Sequence, residues 1–156
     1  MKRRSAPRRE SRKLALQVLF AADLGHSDCF ETALERVAEH FDLHPGAVAF
    51  AKELVVGVQA SRECIDARIR EHARNWRLER MAAVDRNLLR LAVYELADTD
   101  TPAEVVIDEA VELARDFGSE PSPAFVNGVL DAVARSLAAG GEPAEPAGSQ
   151  GGGEAP

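Results

Sequence analysis

The chain has 156 residues, 46% of them hydrophobic and 29% charged, which suits one soluble globular domain with a proper core. No apolar run approaches the roughly 20 residues of a membrane span, and no signal-type apolar region follows the basic start, since Gln17 interrupts Leu14–Leu19, so a cytoplasmic location is expected. Cys29 and Cys64 make neither a disulfide framework nor a zinc site and read as small hydrophobic fillers, while His26, His40, His44 and His72 lack metal-ligand spacing. The formal net charge of −7 hides an asymmetry: residues 1–13 hold seven basic residues against Glu10 alone, a net +6, so the rest carries −13. A basic arm on an acidic body fits a nucleic acid at one end and a basic partner at the other; the plainer alternative is a tail whose charge keeps it soluble.

Residues 1–7 read as a flexible basic arm. From Arg8 the pattern is helical, with Leu14, Ala15, Val18, Leu19 and Ala22 on one face, Arg9, Lys13 and Phe20 on another, and Gly25 as the stop. Asp28 with Glu31 resembles a capping box for a short helix whose Ala33, Leu34, Val37, Ala38 and Phe41 face inward. Pro45 opens a long helical stretch in which Phe50, Leu54, Val58, Ile65 and Ile69 keep phase, with a break allowed near Ser61. Trp76 follows, and a single tryptophan at a junction reads as a packing anchor.

The segment Val84–Leu96 is the central helix: Val84, Leu88, Leu89, Leu91, Ala92, Val93 and Leu96 cover more than half its circumference, so neighbours should pack on it from several directions. Arg86, Asn87, Arg90 and Tyr94 share a strip expected to reach solvent, and Asp85 is placed to cap the N-terminus. Thr101-Pro102-Ala103-Glu104 predicts a capped start for a helix burying Val106, Ala110, Leu113 and Phe117 up to Gly118. Ser122 and Pro123 open the last helix, with Val126, Val129, Leu130, Val133 and Leu137 on its buried face and Gly128 allowing a close neighbour. Residues 138–156, rich in Gly, Pro and Ala, read as a disordered tail. No segment alternates with period two, so the fold class is all-α.

Catalytic chemistry finds no support. There is no phosphate-cradling glycine loop, no H-E-x-x-H and no C-x-x-C. The carboxylates Asp108, Glu109 and Glu112 fit a solvated acidic face better than an acid–base pair.

Four stretches, RKLALQVLFAADL (12–24), NWRLERMAAVDRNLLRLAVYEL (75–96), VVIDEAVELARDFG (105–118) and SPAFVNGVLD (122–131), resemble the NusB family of bacterial transcription antitermination factors over about residues 8–137. The resemblance implies a seven-helix bundle of two small subdomains, about 8–75 and 76–137. It also implies a non-catalytic adaptor without a cofactor, which binds boxA RNA of nascent ribosomal RNA transcripts. Its partners would be ribosomal protein S10 and the RNA polymerase antitermination complex with other Nus factors. Some members are monomers and others homodimers, so the oligomeric state stays open. Carried over by position, the RNA-binding residues are Arg8, Arg9, Arg12, Lys13 and Phe125, and the protein-partner residues are Asp85 and Glu109. Glu10, Ala103 and Pro121 depart from the family pattern. Spacing alone would make Phe125 a packing residue against Phe117 or Trp76; the resemblance puts it on the RNA side. A domain of this fold also precedes the catalytic domain of ribosomal RNA cytosine methyltransferases, but no cofactor-binding loop is seen here. A helix-turn-helix DNA regulator would carry its basic residues on a recognition helix rather than at the N-terminus.

Overall fold

Seven helices make up the computed structural model, which describes residues 5–25, 30–41 and 44–140: α1 (Ser5–Asp23), α2 (Phe30–Phe41), α3 (Pro45–Ala60), α4 (Arg62–His72), α5 (Ala83–Asp98), α6 (Ala103–Phe117) and α7 (Ser122–Ala138). A short 3-10 turn, Leu78–Arg80, precedes α5, and no strand occurs among the described residues. None of these helices is long and apolar enough to cross a membrane. The first four residues, the Asp28 cap, the side chains of Val37 and Phe41 and the tail from 141 lie outside the described residues.

The helix ends follow local chemistry. Gly25 takes a positive φ of 86° and stops α1. Pro45 occupies the first turn of α3, and the His44 side chain caps it by accepting from the Gly46 N–H at 2.9 Å. Ser61 leaves helical dihedrals (φ −109°, ψ 14°) and separates α3 from α4. Two expected caps are absent. Thr101 makes no capping hydrogen bond and α6 starts after Pro102; the nearby Thr99 hydroxyl instead donates to the Glu95 carbonyl and accepts from the Thr101 N–H. Asp85, at the third position of α5, does not cap either. It lies on the inward arc of the helix, 9% exposed, and its Oδ1 is buried with no hydrogen-bond partner.

The centre of the molecule is α5, packed against α1, α3, α4, α6 and α7. Leu88, Leu89, Leu91, Ala92 and Val93 are all buried, joined by Leu14, Ala15, Val18 and Leu19 of α1, Leu54, Val55 and Val58 of α3, Ile65 and Ile69 of α4, Val106 and Leu113 of α6, and Val126 and Leu130 of α7. Truncating any one of the leucines to alanine should cost about 2–5 kcal/mol. At Gly57 a Cβ would fall 2.1 Å from the Tyr94 ring, so this glycine sets how closely α3 approaches α5. Gly128, expected to serve that purpose, is exposed with open space around it. Phe117, expected inside, is 39% exposed, and Cys64 is exposed because α4 turns only Ile65, Asp66, Ala67 and Ile69 inward.

The polar strip of α5 does not reach solvent as expected. Asn87 and Arg90 are buried and Arg86 is partly so. With helices on every side, the strip is neutralised from within. Arg90 donates from Nε and Nη2 to Asp66 of α4 at 2.8 and 3.2 Å and from Nη1 to Asp23 of α1 at 3.3 Å. Arg86 pairs with the same Asp23 and donates to the Leu78 and Met81 carbonyls at 3.1 Å each, and Asn87 donates to Asp23 at 3.1 Å. Burial pushes the Asp23 carboxyl up, but hydrogen bonds from Arg86 and Asn87 and the charges of Arg86 and Arg90 outweigh it and leave the pKa below the usual carboxylate range.

A group with a depressed folded pKa contributes stability above its unfolded value, near 4, and loses it as pH falls through the folded value. Asp23→Asn should therefore cost about 3 kcal/mol at neutral pH, because the largely buried Arg86 is left without a carboxylate while Arg90 keeps only Asp66. The variant's thermal midpoint should also change less than the wild type's below about pH 4. A neutral-pH midpoint equal to wild type would refute the role assigned to Asp23.

Candidate nucleic-acid interface

The expected cations sit on α1 at positions that helical geometry sorts into different surroundings. Arg8 and Arg12 are one turn apart, as are Arg9 and Lys13. Arg8 is exposed, with its guanidinium 4.7 Å from the centroid of the Phe50 ring on α3, a cation–π geometry. Lys13 is partly exposed. Arg9 is half exposed and grips Glu109 of α6 with two hydrogen bonds, Nε to Oε2 at 2.9 Å and Nη2 to Oε1 at 2.8 Å. The hydrogen bond from Arg9 holds the Glu109 carboxyl below its usual range against the opposing effect of burial, and the charges of Arg9, Arg12 and Lys13 add to it.

Arg12 is different. It is 4% exposed and turned inward, its Nε and Nη2 donating to Oε2 and Oε1 of the equally buried Glu95 of α5 at 2.9 and 2.8 Å. Its guanidinium is committed to that carboxylate and is not among the outward charges of α1. The guanidinium expected at the RNA surface is engaged in a structural bond, because position 12 falls on the side of α1 that faces α5. Glu95 is the signal that spacing alone missed: one carboxylate within an otherwise apolar stretch of α5.

Beside these cations runs a groove of about 600 Å³ between α1, α3 and the start of α6, lined by Arg8, Phe50, Glu53, Thr101, Val105 and Glu109 among others. A second depression lies between α6 and the start of α7, where Arg9, Asp108, Glu109, Glu112 and Arg115 meet Pro123 and Asn127. Its carboxylates outnumber its arginines, in keeping with a solvated acidic face on α6. Ala103 and Pro121, the departures from the family pattern, are both exposed at helix starts.

Phe125 is half-buried in the first turn of α7 and packs against the core. Of the two neighbours expected for it, Trp76 is the one it meets, edge to face, with centroids 5.9 Å apart and planes at 67°. The exposed member of this pair is Trp76, at 57%. The aromatic surface available to a ligand is thus mainly the tryptophan read from sequence as an anchor. Its setting in RNWRLER, with Arg74 before it and Arg77 and Arg80 after it, was the feature to weigh. Among the described residues no group of His, Cys, Asp and Glu could hold a metal ion.

The sequence profile of the NusB family matches residues 9–135. The chain belongs to the NusB family. It is 48% identical over 139 residues to the transcription antitermination protein NusB of Geotalea uraniireducens, an alignment covering 83% of this chain and 95% of the relative. It is 47% identical over 134 residues to the protein of the same name from Myxococcus xanthus, covering 83% and 96%. Among solved structures, T. maritima NusB superposes with a TM-score of 0.76 at 37% identity, covering 82% of this chain and 90% of that one. NusB in a crystal structure of antitermination factors NusB and NusE in complex with dsRNA gives a TM-score of 0.76 at 30% identity, covering 84% and 98%.

The Arg12–Glu95 pair yields a direct test of the division among the cations. Arg12→Ala should cost about 3–5 kcal/mol in denaturant unfolding, since it strands a buried carboxylate. Lys13→Ala should stay within about 0.5 kcal/mol. Equal, small losses for both would place Arg12 with the exposed charges after all.

Proposed function

We propose that this chain is a transcription antitermination factor, a non-catalytic cytoplasmic adaptor. It binds boxA-type RNA of nascent ribosomal RNA transcripts together with ribosomal protein S10, within the RNA polymerase antitermination complex. The observation that carries the reading is α1 itself, a packed helix presenting Arg8, Arg9 and Lys13 outward in a chain almost half identical to NusB proteins. Those three cations meet phosphates, while Arg12 keeps their helix in place through Glu95. Phe125 supports the aromatic part of the same surface.

The acidic body faces the protein partner, with Asp85 and Glu109 as contacts. Asp85 is assigned that role by its position in the family pattern, and the small exposed part of the residue, at the start of α5, is what a basic group of the partner would meet. Opposite charge also speeds such an encounter.

Titration of single-stranded boxA RNA at several salt concentrations tests the reading. Each phosphate contact contributes a log–log slope of roughly −0.7. Changing Arg9 and Lys13 together to alanine should reduce the slope by about 1.4 and weaken binding to every RNA sequence. A slope equal to wild type would make the basic helix a solubility device.

The protein side is tested separately. Asp85→Asn should weaken S10 binding in calorimetric titration while circular dichroism stays the same, because the amide keeps the shape of the side chain while removing the charge and one acceptor oxygen. Undiminished S10 affinity would make Asp85 a purely internal residue.

A further inference from the structure

We propose that Trp76 is a base-stacking platform, extending the RNA surface from α1 and the start of α7 across the turn between α4 and α5. The inference rests on the RNA-binding reading above and adds a residue to it. A single exposed apolar side chain is common on protein surfaces, but this one is large, held in place and surrounded by positive charge.

The indole is 57% exposed yet braced. Phe125 meets it edge to face at 5.9 Å. Its backbone N–H donates to the Ala73 carbonyl at 3.1 Å, and the exposed segment that carries it is anchored by buried Ala73, three residues before, and buried Leu78, two residues after. The following turn is clamped to α5 by Arg86, which donates to the Leu78 and Met81 carbonyls. A ring fixed in this way loses little conformational freedom when a ligand stacks on it.

Charge selects the occupant. Residues 74–80 carry Arg74, Arg77 and Arg80 against Glu79 alone, a net +2 on a chain of net −7. All three arginines are exposed, and Glu79 is already held by Arg70 at 2.9 Å. A basic protein surface would be repelled here, whereas a polyanion with unstacked bases satisfies both the arginines and the ring. Stacking on an aromatic face tolerates any base, so Trp76 contributes affinity and leaves sequence preference to other contacts.

Trp76 is the chain's single tryptophan, so its fluorescence reports on this site alone. Adding a short single-stranded boxA-type oligoribonucleotide should quench the emission and shield the indole from acrylamide. Trp76→Ala should bind the same RNA about tenfold more weakly with the salt slope unchanged, since no phosphate contact is lost. Trp76→Phe, which keeps a stacking face and the contact with Phe125, should retain most of the affinity and a wild-type thermal midpoint. If labelled RNA binds by anisotropy with no change in Trp76 emission, and Trp76→Ala binds at wild-type strength, the stacking role is overturned while the RNA-binding reading stands. If Trp76→Ala loses affinity but RNA leaves the wild-type emission unaltered, the residue acts by positioning Phe125, and stacking is again overturned. A variant impaired toward S10 and not toward RNA would reassign the face to protein. If wild type binds no RNA at all, both readings fall together.

Discussion

Two buried sets of opposite charges decide how α1 lies on α5. Near the end of α1, Asp23 receives Arg86, Asn87 and Arg90 from the first turns of α5. In the first half of α1, Arg12 donates to Glu95 near the end of α5. The two helices are thereby locked antiparallel at both ends, and apolar packing between the locks cannot slip by a turn without stranding charge. Buried ion pairs often add little net stability compared with a well-packed apolar substitute, yet breaking one costs several kcal/mol. Here they set the register of a helix that must hold its outer face toward a ligand.

The same network explains which features could be read from residues and which could not. Apolar periodicity locates the helices well, because burying Leu88, Leu89, Leu91 and Val93 demands neighbours whatever their identity. Periodicity cannot tell a solvated polar strip from one met by carboxylates of distant helices. Arg86, Asn87, Arg90 and Arg12 all look like surface residues until Asp23, Asp66 and Glu95 arrive from elsewhere in the chain. Glycines show the same limit: Gly57 and Gly128 are alike in a helical pattern, and only the Tyr94 ring distinguishes them. Caps fail for a local reason: α6 begins after Pro102 and α5 after Ala82, so Thr101 stands one residue too early and Asp85 three residues too late to serve as the N-cap.

The candidate site was legible to the level of an element. A basic first helix and an aromatic near SPAFVNG stand out in the sequence, but their division of labour does not. Of four cations in the cluster, one is internal, one is shared with Glu109, and two remain outward. Of two aromatics, the one that family likeness points to is partly buried against the core, and the one it does not point to is the more exposed. Both outcomes depend on which side of a helix or turn meets its neighbour, and that is decided by contacts between residues roughly 50 to 100 positions apart.

The bracing of α1 has a thermodynamic corollary. A ligand approaching Arg8, Arg9 and Lys13 meets a helix whose opposite face, Leu14, Ala15, Val18 and Leu19, already belongs to the core. No segment of that helix has to fold as the ligand arrives, so the heat-capacity change should be modest, well short of the large negative value that accompanies coupled folding. Association should be correspondingly quick, limited by charge and orientation and not by a conformational step.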